Sequence, residues 1–170
     1  MAQRKSADLH VFGQIQVSGS DEVLVNWDVL KRKEKGQATA ADAVDAVAST
    51  LPGLWRAEKI QSKAAKAGFV WPDVQGKLEE EVAELREAAV AGRSADAPHG
   101  VREEVGDVLF MTVQAARAHG VDPEDALHRA CEKFAVRFRR TEELAGGAMK
   151  EMSPDELMAC WQKAKGQEES

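Results

Sequence analysis

Apolar residues along this chain recur mainly at three- and four-residue intervals, the period of an amphipathic helix, and seldom at every second position. Ser20 can cap a first helix, with Asp21 and Glu22 in its opening turn and Val23, Leu24, Trp27 and Leu30 following to Gly36. A second is predicted over about residues 53–67, with Leu54, Trp55, Ile60 and Ala64 as candidate core and Gly68 as its stop. Phe69-Val70-Trp71-Pro72 makes a corner, and Asp73 caps a third helix that ends near Gly92. A fourth follows a Gly- and Pro-bearing loop reaching to about Gly100, and ends at His119-Gly120. Asp122-Pro123-Glu124-Asp125 starts a fifth, with Ala126, Leu127, Ala130, Phe134 and Phe138 as its apolar face. Ser153-Pro154-Asp155-Glu156 opens a last helix bearing Leu157, Met158 and Trp161. The β-like run 10–17 is too brief to anchor a sheet and reads with residues 1–19 as an arm, while the Ala-rich segment 37–50 reads as a weakly helical connector. With strands almost absent, no P-loop or Rossmann turn is available. The predicted fold class is therefore all-α: an antiparallel helical bundle over residues 51–170 behind an arm and connector at 1–50.

The third and fourth helices carry the candidate chemistry. Leu78, Val82, Leu85 and Ala89 form one apolar stripe, and Glu81 lies on its shoulder together with Lys77 and Ala88. Residues three apart share a helix face, so Glu81 with Glu84, and Glu104 with Asp107, each make a pair of neighbouring carboxylates. From Val105 to Ala116 the fourth helix is apolar nearly all round, which predicts burial, with Asp107 as its only charge. An unpaired buried carboxylate costs several kcal/mol, so Asp107 requires either a metal ion or a cationic side chain. Carboxylate oxygens suit Mg²⁺ or Mn²⁺ rather than zinc.

Composition narrows the classes further. A net charge of −6 argues against a nucleic-acid-binding role, and the basic run Lys31 to Lys35 is what the macrodipole favours at a helix C-terminus. No apolar run approaches the roughly 20 residues of a membrane span, and no signal-peptide pattern opens the chain. Cys131 and Cys160 lack metal-ligand spacing and read as reduced thiols of a cytoplasmic protein. No His spacing for zinc and no Glu-x-x-His of a di-iron bundle occurs. Arg129, Lys133 and Arg137 stand four apart, a row that reads either as surface cations or as the grip for a polyphosphate. Trp161 reads either as core or as ligand contact.

Glu80-Glu81-x-x-Glu84, Glu104-x-x-Asp107 and Lys133-Phe-x-x-Arg137-Phe, in this order, resemble the MazG family of nucleoside triphosphate pyrophosphohydrolases. Residues 61–71, Lys77 before the Glu pair, and the Trp-bearing stretch Leu157 to Lys165 extend the resemblance. It implies an all-α fold whose catalytic unit is completed by dimerisation, as a homodimer or a dimer of dimers. It also implies Mg²⁺-dependent cleavage of NTPs or dNTPs to monophosphate and pyrophosphate, with broad specificity and a nucleotide-pool housecleaning role. By the same resemblance Glu81, Glu84, Glu104 and Asp107 would hold metal, and Lys77, Lys133, Arg137 and Trp161 would touch the nucleotide. Glu80, or failing that Glu81, would take the proton of the attacking water. Other implied readings are a relative restricted to dCTP, dUTP or phosphoribosyl-ATP, and a nucleotide-binding dimerisation module without turnover. His10-Val-Phe-Gly13 and Ser20 to Trp27 resemble the junction inside a two-domain MazG, so the chain is expected to correspond to its second half. Val70, where the family has Asp, and Cys131, where it commonly has Asn, bear on base or sugar selection.

Overall fold

The computed structural model of the chain describes residues 39–92 and 94–166, among which the regular elements are all helices. They are α1 (Ala40–Asp45), α2 (Gly53–Lys66), α3 (Val74–Val90), α4 (Val101–Ala118), α5 (Pro123–Leu144) and α6 (Pro154–Gly166). The chain divides into two compact units, Met1–Ala46 and Val47–Ser170. The arm 1–19 and the helix expected over 20–36 lie outside the described residues.

In the first unit, α1 occupies part of the stretch expected to be a connector. The signal was local: Thr39 accepts from the Asp42 amide at 3.0 Å while the Asp42 carboxylate accepts from the Thr39 amide at 2.7 Å. That reciprocal box satisfies donors a six-residue helix would otherwise leave open.

In the second unit the helix ends follow side-chain chemistry. Asp73 accepts from the Gly76 amide at 2.8 Å to start α3. Asp122 accepts from the amides of Glu124 and Asp125 at 2.9 and 3.1 Å, with Pro123 in the first turn of α5. Ser153 and Glu156 form the corresponding box at α6, the Ser153 amide donating to the Glu156 carboxylate at 2.8 Å. Gly100, which caps α4, is enclosed by backbone: an added Cβ would stand 2.5, 2.6 and 2.9 Å from the carbonyls of Ser94, Ala97 and Ala95. Only glycine fits there, and the start of α4 is set by that enclosure.

Helices α3 and α4 form the principal pair, α2 packs on α4 and α5, and α6 packs along α5. The core is small: among the described residues Val47, Ala88, Met111, Val113, Cys160 and Ala164 are its buried apolar members in this unit. Gln61 is buried among them, donating through Nε2 to the Phe110 carbonyl at 2.7 Å and so tying α2 to α4. Trp71 sets its ring edge-on to Phe110 at 6.3 Å, which docks the corner after α2 onto the same turn of α4.

Four expectations are overturned by the way these helices pack. In α3 the most buried positions are Glu81 and Ala88, whereas Leu78, Val82 and Leu85 are half-buried and Ala89 is exposed. Ala88 has no side chain beyond Cβ, so α4 approaches on the shoulder of the apolar stripe rather than over its centre. Helix α4 is not buried all round: Val105, Asp107 and Leu109 are exposed, and its buried residues are Glu104, Met111, Val113 and Gln114. The apolar face of α5 is likewise uncovered in the single chain, with Leu127, Phe134 and Phe138 at 51%, 57% and 43% exposure. In α2 the inward position is Gln61, while Trp55 is exposed and Leu54, Ile60 and Ala64 are half-buried.

The seam at Ala88 gives a direct test. Ala88→Leu is expected to destabilise the chain by about 1–3 kcal/mol through overpacking, whereas Ala89→Leu on the exposed flank changes little. Urea midpoints of the two variants measure the difference.

Candidate functional site

The α3–α4 seam brings carboxylates from both helices to one point. Oxygens of Glu81, Glu104 and Asp107 all lie within 4.8 Å of one another, with Glu81 and Glu104 buried and Asp107 exposed at the rim. Glu104 stands one turn after Gly100, so the enclosed cap of α4 also fixes where this carboxylate falls.

Glu84 is exposed and lies next to the group, outside the mutually close set. Its carboxyl is pushed above the usual range by lost hydration, then by the charges of Glu81 and Glu104. Asp107 is pushed in the same direction, first by lost hydration and then by Glu81 and Glu103. Both shifts record the same fact: negative charge is being concentrated on a seam with little water.

Among the described residues Lys77 opposes it from the same helix as Glu81. The Lys77 ammonium lies 3.0 Å from Glu80 and 3.0 Å from Glu81, and these bonds, Glu81 foremost, hold it protonated well above the ordinary lysine range. Lys77, Glu80 and Glu81 share a face because they are three and four residues apart. Glu80 remains outward, its side chain 56% exposed.

The loop before α4 adds a residue that helical periodicity did not single out. His99 adopts a left-handed backbone conformation, φ 53°, and its amide donates to the Glu103 carboxylate at 2.7 Å. Its ring Nδ1 stands 3.8 Å from a Glu104 oxygen. No spacing rule finds such a neighbour, because it is placed by loop conformation.

The remaining candidates stand on the other helix pair. Lys133 is exposed and Arg137 half-buried on α5, and Trp161 of α6 is half-buried with its ring centroid 5.2 Å from that of Phe134. Arg129, first of the expected cationic row, is held by Asp125 at 2.7 Å, so that row is not a uniform set of outward charges. The single chain packs α5 mainly against α2, α4 and α6, and its extensive contacts do not include α3.

The donor set suits a hard divalent cation. Ligand oxygens on opposite sides of such an ion stand about 4 Å apart for Mg²⁺ and about 5 Å for Ca²⁺, so a group already within 4.8 Å can close on one with small side-chain adjustments. The cluster contains neither Cys nor His, the ligands zinc prefers.

The electrostatics predict how the ion-free chain responds to pH. Folding raises the carboxyl pKa of Glu84 and Asp107, so their contribution is most favourable while they are protonated and is lost as pH rises through their folded-state values. In EDTA, Glu84→Gln is therefore expected to melt higher than the parent near neutral pH, with the difference vanishing toward about pH 4. Thermal melts at both pH values measure it.

Comparisons with known proteins agree with where this site lies. Residues 74–141, from the start of α3 to near the end of α5, match the model of the MazG nucleotide pyrophosphohydrolase domain. The chain is 36% identical over 163 residues to the nucleoside triphosphate pyrophosphohydrolase of Escherichia coli K12, covering 94% of this chain and 62% of that protein. It is 37% identical over 150 residues to the nucleoside triphosphate pyrophosphohydrolase/pyrophosphatase MazG of Thermotoga maritima, covering 85% and 56% respectively. A match of 37% over 159 residues joins it to the uncharacterized protein YabN of Bacillus subtilis, of which it spans 32%. The chain thus spans about three fifths of the length of the first relatives. The helices that carry the acidic seam lie within the stretch that matches the MazG domain, and over most of its length the chain is similar to these nucleoside triphosphate pyrophosphohydrolases.

Proposed function

We propose that this chain hydrolyses nucleoside triphosphates, ribo- or deoxyribo-, to the monophosphate and pyrophosphate, with broad base specificity suited to clearing the nucleotide pool. The observation that carries the reading is the meeting of Glu81, Glu104 and Asp107 on the seam within the stretch that matches the MazG domain. The activities for which the Escherichia coli and Thermotoga maritima relatives are named support the substrate class.

In this reading Glu81, Glu104 and Asp107, with Glu84 beside them, hold Mg²⁺ or Mn²⁺. When bound, the ion supplies charge neutralisation at the phosphate oxygens and a more acidic water. The chain's own groups do the rest. Lys77 orients Glu81 and Glu80 through its two ion pairs. Glu80, outside the close set and facing solvent, is placed to accept the proton of the attacking water, with Glu81 second in that role. With Glu81 holding the ion, the Lys77 ammonium would be available to the incoming phosphates.

Lys133, Arg137 and Trp161 are assigned to the polyphosphate and the nucleoside. Their helices carry the uncovered apolar residues Leu127, Phe134, Phe138 and Met158. A second copy laid on that face would bury them and supply α5 to the partner's carboxylate seam. This supports a homodimer, or a dimer of dimers, as the working form. The acidic balance of the chain weighs against nucleic acid as a partner.

Incubation with Mg²⁺ and a panel of NTPs and dNTPs is expected to yield monophosphate and pyrophosphate; nucleoside diphosphate with orthophosphate refutes the proposed bond. Asp107→Asn is expected to lower kcat by about 100-fold or more with unchanged helical circular dichroism. Phe134→Glu, at a position 57% exposed in the single chain, is expected to turn a dimer into a monomer in sedimentation velocity and to lose activity with it. A parent chain that sediments as a monomer while fully active removes the dimeric site.

A further inference from the structure

A second cavity lies away from the acidic seam. It has a volume of about 450 Å³, sits where α2 meets the turn between α4 and α5, and is walled by Leu51, Trp55, Lys59, Arg117, Val121 and Asp122 among others. Arg117 comes ten residues after Asp107 on the same helix, about 15 Å further along its axis, so the cavity is separate from the carboxylate group.

Two of its side chains are fixed from behind. The Trp55 indole donates through Nε1 to the Asp122 carboxylate at 3.3 Å, which holds the ring in place while 44% of the residue remains exposed. The Arg117 guanidinium donates through Nε to Oε1 of Gln114 at 3.2 Å, and Gln114 is buried at 4% exposure. Arg117 is half-buried and makes no ion pair among the described residues. A guanidinium planted by a neutral amide, with its remaining donors unopposed by a carboxylate, is arranged to receive an anion bidentately. Lys59 adds a second cation to the lining, paired at 3.0 Å with the carboxylate of its neighbour Glu58, which is half-buried and lines the cavity too.

The rest of the lining dictates the rest of the ligand. Asp122 accepts from the Asp125 and Glu124 amides and from Trp55, and together with the Lys59 charge these bonds hold its carboxyl below the usual range, so this carboxylate is already satisfied by the fold. Leu51, Trp55 and Val121 offer an apolar and aromatic surface for a flat ring. We propose that this cavity is a second binding site that takes a nucleoside monophosphate, its base against the Trp55 indole and its phosphate on Arg117. The volume falls within the range of small-molecule pockets. The inference stands independently of the activity proposed above, because none of its residues belongs to the carboxylate seam.

The test is calorimetric titration of the full chain with AMP in EDTA, which removes metal-dependent binding at the carboxylates. Saturable binding at millimolar AMP or below is expected, with adenosine and ribose 5-phosphate each at least about tenfold weaker because each lacks one half of the recognition. Arg117→Gln is expected to weaken AMP about tenfold or more, Arg117→Lys to weaken it less, and Asp107→Asn to leave it unchanged. Circular dichroism accompanies each variant; should Arg117→Gln fail to fold, the milder Arg117→Lys decides. Unaltered AMP affinity in the Arg117 variants, loss of affinity in Asp107→Asn, or no binding at saturating AMP overturns the site. Failure here leaves hydrolysis by the parent chain untouched, and loss of hydrolysis in Asp107→Asn leaves AMP binding in EDTA untouched, so the two readings fail separately.

Discussion

The constraint on which this structure turns is mutual repulsion among carboxylates that packing forces together. Helix α4 reaches α3 on the side of Ala88, where a small residue of zero exposure lets backbones come close, and that side also carries Glu81. Closing the seam therefore drives Glu81 against Glu104 and Asp107. The fold tolerates this because Lys77 stands one turn before Glu81 and neutralises part of the charge from the same helix. Lost hydration first, and then the neighbouring carboxylate charge that Lys77 does not cancel, push Glu84 and Asp107 upward.

Much of this was legible in the order of residues. The four helices of the second unit that begin with Asp, Ser or Pro signals start where those signals stand, since a cap is a local hydrogen-bond contract. The meeting of Glu81, Glu104 and Asp107 followed from spacing plus a short link between two helices. What could not be read was the rotation of each helix about its own axis. An apolar stripe such as Leu78, Val82, Leu85 and Ala89 says that a face prefers to be covered, yet not by which neighbour, and in the single chain the small residue at 88 attracts α4 instead. The same reasoning explains why an all-round apolar stretch in α4, and the Phe134 and Phe138 face of α5, lie open. Periodicity reports the sum of all surfaces a helix will meet, and a single chain supplies only some of them.

Other features lay below the reach of patterns. His99 approaches Glu104 only because its backbone is left-handed. The coupling of Trp55 to Asp122, and of Arg117 to the buried Gln114, joins residues whose separate roles in the sequence were core, cap and charge. Such pairings depend on where a loop turns and how far one helix overhangs another, neither of which has a periodic signature.

Lys77 has one more consequence, for how the molecule comes into being. Many small metal-binding domains remain random until their ion arrives, since nothing else offsets the charge of their ligands. Here the hairpin carries an internal counter-ion, so part of the seam's charge is offset before any ion arrives. Under the function proposed above, ion capture would then be a swap at a finished surface rather than the event that nucleates it.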